Sequence, residues 1–292
     1  MALVSEAARA KINLTLHVLR RREDGFHLIE SLVVFADVAD RLNAGFAPQF
    51  GLDITGPFAG DLAPAEDNIV LEAARAVAHG IGGVPPGAEL MLEKNLPVAS
   101  GIGGGSADAA ACIRALLKLH AVKAGDIALS QLASGIGADV NVCLASKSAV
   151  ISGVGNVVEP APRLPRVHAV LVNPGLPLAT PAVYHTLGLA PGEDFPEAAP
   201  PPPADGFRTV ETLAGHLRAA RNDLRTPATR LVPAIADVEA ALAAMPGCLV
   251  ARMSGSGATC FGLFAGRAEA HDGAQWLQAD HPDWWVRATM LG

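Results

Sequence analysis

Residues 97–110 read PVASGIGGGSADAA, with four glycines inside the five positions 101–105. Ordering such a run is entropically costly and gives no side chains to pack, so neither helix nor strand is expected across it. It does allow close backbone approach, and it frees several N–H groups to point at one place. The residues that follow keep Ala109, Ile113, Leu116, Leu117 and His120 to one side at helical spacing. A helix starting near Ser106 would put its positive end at the glycines, and converging amides at a helix N-terminus favour an anion, phosphate above all. Asp108, expected in the first helical turn, suits that dipole.

Other readings of this stretch fit less well. Linkers rarely run from a strand end straight into an Ala-rich amphipathic helix. A dinucleotide fingerprint would need a third glycine where Ser106 stands, and an acidic residue at the end of a following strand. The Walker A pattern occurs nowhere in the chain. Loop physics alone stops at a phosphate-bearing ligand.

The 292-residue chain is long enough for about two domains. RAKINLTLHV at 9–18 alternates Ile12, Leu14, Leu16 and Val18 with Lys11, Asn13, Thr15 and His17. This predicts a strand over 11–18 with one face in the core and a polar face turned to water or to a ligand. Strands are also expected at 29–36, 88–97, 148–153, 168–174, 249–253 and 258–264. Helices are expected at 67–80, with Asp67 as N-cap, and at 128–137. SGSG at 254–257 joins two strands that must be antiparallel, since four residues cannot make a crossover. The mixture lacks a strict β-α rhythm, which indicates an α+β fold and not a doubly wound sheet. A boundary is expected within NVVEPAPRLP at 156–165, and Pro-rich 191–206 reads as an exposed loop.

Partners are narrowed by charge and composition. A net charge of −7, and one basic run at Arg20–Arg22 followed at once by Glu23 and Asp24, argue against nucleic acid. No uncharged apolar run reaches ~18 residues, so no membrane span is expected. The first residues carry charges and no apolar h-region, so no signal peptide is expected. The four cysteines (Cys112, Cys143, Cys248, Cys260) form no CxxC, and neither a disulfide framework nor a zinc site is expected. The expectation is a soluble cytoplasmic protein. Asp139, in GIGADVNVCL, stands between small residues and an apolar run; read alone, a turn or cap aspartate is the commoner case.

Three segments, in this order, resemble the GHMP kinase family along almost the whole chain. They are the N-terminal strand carrying Lys11, the Pro97-x-x-x-Gly101-x-Gly103-Gly104-Gly105-Ser106 loop, and SGSGAT at 254–259. AKINLTLHV at 10–18, RREDGFHLIESL at 21–32, GADV at 137–140 and RMSGSGATCF at 252–261 resemble the branch whose acceptor is a cytidyl-diphosphate sugar alcohol. DGFH is the most discriminating of these.

The resemblance implies a two-domain fold. An N-terminal domain like domain 2 of ribosomal protein S5 (1–158) would be followed by a ferredoxin-like C-terminal domain (159–292), with the active site in the cleft between them and the last strand able to return to the first domain. It implies an ATP-dependent kinase acting on a small molecule, with Mg2+ accompanying the nucleotide and no metal ligands assignable. Lys11 and Asp139 would be the catalytic pair. Pro97, Gly101, Gly103, Gly104, Gly105 and Ser106 would hold the ATP phosphates, with Asn68 and Lys94 near the adenosine. Asn13 would lie by the reacting hydroxyl, and Phe26, His27 and Tyr184 by the cytosine end. Asn222 and Asp223 resemble a further Asn-Asp-Leu element with no role assigned. Phe26 stands where Tyr is frequent, Ala107 where a second Ser is common, and Asn141 where Pro often stands.

Overall fold

The computed structural model describes residues 3–62, 68–196 and 201–292. In chain order the elements are β1 (Val4–Asn13), β2 (His17–Arg21), β3 (His27–Gly45), β4 (Phe50–Thr55), α1 (Ile69–Gly80), β5 (Ala88–Glu93), α2 (Gly104–Leu119), α3 (Asp126–Ile136) and α4 (Val140–Ala145). There follow β6 (Ala149–Gly153), β7 (Val157–Pro160), β8 (Val167–Asn173), α5 (Thr180–Leu187), α6 (Val210–Ala219), α7 (Arg225–Leu231), α8 (Ala234–Ala243), β9 (Cys248–Met253), β10 (Cys260–Phe264), α9 (Arg267–Asp280) and β11 (Trp285–Leu291). The mixture is α+β, as expected. Two compact units emerge. One holds the described residues up to Lys11, Ala39–Val98 and Gly103–Ser146; the other holds Ile12–Val38, Ala99–Ile102 and Lys147–Gly292.

In the first unit β5 pairs in parallel with β4 and antiparallel with the second half of β3, from Arg41↔Glu93 to Gly45↔Glu89. The helices bring small residues to the core: Ala73 and Ala74 from α1, and Ala109, Ala110, Ala111 and Cys112 from α2, with Val77 and Ile113 beside them. Side chains this small let helix axes approach closely. Arg114 and Lys118 of α2 both reach Glu6 of β1, and Arg114 also donates to the Cys143 carbonyl. Burial pushes the Glu6 carboxyl up, but these two cations outweigh it and hold it below the ordinary glutamate value.

In the second unit β2 and β6 pair antiparallel with the first half of β3, and β7 pairs with β6. A further set runs β11-β8-β10-β9, all antiparallel, and Leu291 of β11 meets Ala36 of β3. Val170, Leu171, Val172, Phe261 and Leu263 of this set are fully buried, as are Ile235, Val238 and Leu242 of α8.

Several expectations need correcting. The strand over 11–18 is two strands, broken at Leu14–Leu16, because side chains take over the ladder there. Ser31 Oγ donates to the Thr15 carbonyl, and Thr15 Oγ1 accepts from Leu32 N. Neither face is solvated: Lys11, Asn13, Thr15 and His17 are buried, as are Ile12 and Leu14. The second strand runs far beyond 29–36, from His27 to Gly45. The strand expected to reach Pro97 stops at Glu93, since the Asp40 carboxylate captures the N–H groups of Asn95 and Leu96. Helix α2 starts at Gly104, so two of the four glycines are helical and Asp108 falls in the second turn, not the first. Asp67, expected to cap α1, lies outside the described residues; Asn68 is the N-cap, its side chain accepting from Val70 N at 2.9 Å.

The SGSG hairpin forms as expected, with Met253 opposite Cys260. The four cysteines are free. Among the described residues no helix is long and apolar enough to cross a membrane.

Candidate active site

In the first unit the site is built on the start of α2. Gly103 is the N-cap, with φ +64, in the left-handed region that disfavours any side chain. A Cβ there would lie 3.4 Å from Lys11 Cε and 3.8 Å from Asp139 Oδ2. The N–H groups of Gly104, Gly105 and Ser106 open the helix and have no intrahelical partner by construction.

Beside Gly103 is an ion pair: Lys11 Nζ lies 2.6 Å from Asp139 Oδ1. Asp139 occupies the N-cap position of α4, yet its side chain makes no capping bond there. The common reading of an isolated turn aspartate therefore fails, and the carboxylate is turned to the lysine. The Lys11 side chain is 5% exposed and that of Asp139 35% exposed, so the carboxylate is the open end of the pair.

Directly beneath the first turn of α2 lies a second charged group that the sequence did not announce. Lys94 Nζ is paired with Asp40 and, at 2.8 Å, with Asp108. All three residues are almost fully buried. A Cβ on Gly104 would stand 3.1 Å from Lys94 Nζ, so the helix start rests on this ammonium. Burial pulls the lysine pKa down, but the two carboxylates prevail and hold it above the ordinary value. Burial pushes the Asp108 carboxyl above its ordinary value, with Lys94 opposing and Asp40 adding. Asp108 Oδ1 has no hydrogen-bond partner among the described residues. Lys94, expected near the adenosine, thus has two of its three donors committed inside the protein. Asn68 is buried at the start of α1, and Pro97 is buried just ahead of the glycines.

In the second unit, Asn13 N donates to Ser254 Oγ at 3.0 Å, and Asn13 Nδ2 to Ser31 Oγ at 2.8 Å. Ser254 Oγ in turn donates to the Gly101 carbonyl at 3.2 Å. Thr259 N donates to the Ser100 carbonyl at 3.1 Å. A Cβ on Gly101 would come within 2.6 Å of the Gly257 carbonyl oxygen, and one on Gly255 within 2.5 Å of the Gly101 oxygen. The two glycine-rich segments are therefore docked backbone to backbone, and Gly101 is required by that contact.

Farther along the same unit, the His27 ring lies 4.7 Å from that of Tyr184 on α5, tilted by 30°. Phe26 is 64% exposed beside it in sequence. Burial, with Arg21 adding, holds the His27 imidazole below its ordinary value. At the start of α5, Thr180 Oγ1 and Ser256 Oγ are 2.7 Å apart, tying that helix to the SGSG turn. The paired rings of His27 and Tyr184 offer flat aromatic area against which a nucleobase can stack.

Thr15 and His17, which share the polar side of the sequence pattern with Lys11 and Asn13, are committed to structure. Thr15 holds Leu32 N, and His17 Nε2 accepts from Arg221 N at 3.2 Å. Sequence reasoning missed Asp40 and Ser31; Ser254 lies in the SGSG segment it singled out, but its tie to Asn13 was not foreseen. Asp40 is a single acid in an alternating strand, and nothing local marks it.

The chain matches the family model for the GHMP kinases N terminal domain over residues 68–147 and that for the GHMP kinases C terminal over residues 208–279. It is 52% identical over 290 residues to 4-diphosphocytidyl-2-C-methyl-D-erythritol kinase of Parvibaculum lavamentivorans, covering 99% of this chain and 98% of that protein. The same enzyme of Paramagnetospirillum magneticum is 48% identical over 291 residues, covering 100% and 99%. Among solved structures, a 4-(cytidine 5'-diphospho)-2C-methyl-D-erythritol kinase superposes with a TM-score of 0.79 at 34% identity, covering 99% of each chain. Homoserine kinase from Cytophaga hutchinsonii shares the fold, with a TM-score of 0.69 at 19% identity, covering 100% of this chain and 95% of that one.

Proposed function

From the premise that this chain belongs to the GHMP kinase family, we propose that it phosphorylates the 2-hydroxyl of 4-diphosphocytidyl-2-C-methyl-D-erythritol with ATP, a step of non-mevalonate isoprenoid precursor synthesis. Full-length relatives at about half identity carry that name. The observation that carries the chemistry is the Lys11–Asp139 pair beside the N-terminus of α2.

Phosphoryl transfer asks mainly for positioning and charge stabilisation. The opening amides of α2 at Gly103–Ser106 would take phosphate oxygens of ATP, where the helix dipole favours negative charge. Lys11 would neutralise charge on the migrating phosphoryl group. Asp139 would orient the acceptor hydroxyl and take its proton. Asn13, two residues along β1 from Lys11, would sit by the same hydroxyl. His27 and Tyr184, with Phe26, would hold the cytosine. Asn68 and Lys94 would serve the adenosine side, Lys94 mainly by supporting the start of α2.

Magnesium would arrive with the nucleotide and neutralise charge on its phosphates. Among the described residues no group of three His, Cys, Asp or Glu side chains is placed to hold an ion. The Ser106 hydroxyl, in the first turn of α2, would be the side chain nearest to it. We further place the domain division at 158/159; the two family models fall on either side of it. A cytoplasmic location is part of the same proposal.

The test is ATP consumption with the cytidylated acceptor, homoserine and mevalonate side by side, with phosphorus NMR of the product. Phosphorylation at the 2-hydroxyl of the cytidylated alcohol is expected. Turnover of homoserine or mevalonate in its place would overturn the assignment.

A further inference from the structure

We propose that Asn222 is a positioning residue for phosphoryl transfer, acting through the Ser254–Gly257 turn on Asn13 and Gly101. The part played by Asn13 rests on the functional reading above; the link itself rests on geometry.

The segment Arg221–Asp223 lies alongside Leu16, at the break between β1 and β2. Leu16 N donates to the Arg221 carbonyl at 3.0 Å, and Asp223 N to the Leu16 carbonyl at 2.9 Å. The Asp223 carboxylate accepts from Val18 N at 2.8 Å and from Arg221 Nε at 2.9 Å. The backbone around Asn222 is thereby fixed, and its side chain is aimed at the turn. Asn222 Oδ1 accepts from Leu224 N at 3.0 Å. Its amide nitrogen donates to the carbonyls of Met253 at 3.0 Å and Gly255 at 2.9 Å, one on each side of Ser254.

Ser254 is the residue whose hydroxyl joins Asn13 N to the Gly101 carbonyl. A single rigid group thus orients the peptide units that carry this hydroxyl. The turn needs such a restraint. Gly255 and Gly257 have φ of +56 and +87, and the segment they face has Gly101 at +76. Glycine in these conformations has the widest freedom to drift. Inside the turn the backbone bonds are Gly257 N to the Ser254 carbonyl and Ser254 N to the Thr259 carbonyl, and neither engages the carbonyl of Met253 or Gly255. Only a carboxamide offers two donors on one nitrogen and an acceptor on the same plane. An aspartate here would set a carboxylate against two carbonyls.

The experiment compares Asn222→Ala, Asn222→Asp, Ser254→Ala and the Asn222→Ala/Ser254→Ala double variant in the full chain. Steady-state kinetics are read with amide hydrogen exchange. Asn222→Ala is expected to lower kcat about 10- to 100-fold while each KM stays within about threefold, the pattern of lost transition-state positioning. Asn222→Asp should be at least as impaired. Exchange should rise at residues 13 and 254–257 and stay unchanged in β8 and β11. The double variant should be no more than about threefold worse than the worse single variant, because both remove one link.

Wild-type kcat in Asn222→Ala would overturn the proposal. So would multiplicative losses in the double variant, or exchange that rises uniformly through the unit, which marks a merely structural role. A wild-type chain that fails on the cytidylated acceptor would overturn the functional reading and not the link, which the exchange pattern judges by itself.

Discussion

Lys11 Nζ and Asp139 Oδ1 are 2.6 Å apart although 128 residues separate them in sequence. The ammonium is buried and the carboxylate half-open, so the pair presents its acidic side outward while its positive charge is held from behind. Inside a poorly solvated site each charge stabilises the other, and removing one leaves the other expensive.

Asp139→Asn keeps the shape of the side chain and removes its charge. We expect kcat to fall by ~10²–10⁴-fold, the usual range for loss of a general base, with the KM for ATP nearly unchanged. Steady-state kinetics by a coupled ADP assay decide this. Near-normal turnover in the variant would rule out an essential carboxylate.

Lys94→Met leaves Asp40 and Asp108 facing each other with no cation. A destabilisation of ~3–5 kcal/mol is expected, the cost of stranding a buried charge. Asp108→Asn should cost far less, since one oxygen of Asp108 has no partner among the described residues and its carboxyl is already pushed toward the neutral form. Urea unfolding of the two variants at pH 7 gives the ranking; equal stabilities would refute a structural role for the triad.

The stability of the chain should depend on pH through His17. Burial holds its imidazole down at about 4, with Arg221 and Arg252 adding and Asp223 opposing. Its ring nitrogen Nε2 accepts a backbone hydrogen bond that protonation would break. An unfolded histidine titrates near 6.5, so between about 4 and 6.5 the unfolded chain binds the extra proton. The contribution is therefore fully present above pH 6.5 and is lost as pH falls through that window, with a slope of up to about 1.4 kcal/mol per pH unit. Unfolding free energies of wild type and His17→Gln at pH 7, 6 and 5 check it. A variant whose acid slope matches wild type would place the dependence elsewhere.

Tyr184→Ala removes one ring of the aromatic pair with His27. Loss of a base-stacking surface costs about 1–3 kcal/mol, so the KM for the cytidylated acceptor should rise roughly 5- to 150-fold. The KM for ATP should stay near wild type, and Tyr184→Phe should restore most of the loss. An equal rise in both KM values would argue that the ring pair does not discriminate the acceptor.

Much of this protein was legible along the chain. The hairpin around SGSG, the α2 stripe and the anion-favouring loop before it each follow from rules that act over a few residues. Alternation, helical spacing and the left-handed φ that only glycine accepts are all local. Membership of the family was legible for the same reason, because Lys11, the glycine loop and the SGSG turn are short contiguous signatures.

Other features were decided only by the folded chain. Asp139 read by itself looks like a turn aspartate; the family resemblance pairs it with Lys11, but the 2.6 Å contact between them exists only in the folded chain. Asp40 has no signature, and becomes a partner of Lys94 only when β3 and β5 pair. The polar side of residues 11–18 reads as turned to water or to a ligand, but packing buries it whole and turns Thr15 and His17 into structural ties. Even the start of α2 moved to Gly104, since a helix end is set by what it rests on, here the Lys94 ammonium, as well as by propensity. Residue spacing encodes the period and the turns of each segment. Which distant segments meet is settled by the burial of whole faces at once, and that sum is taken over the tertiary structure.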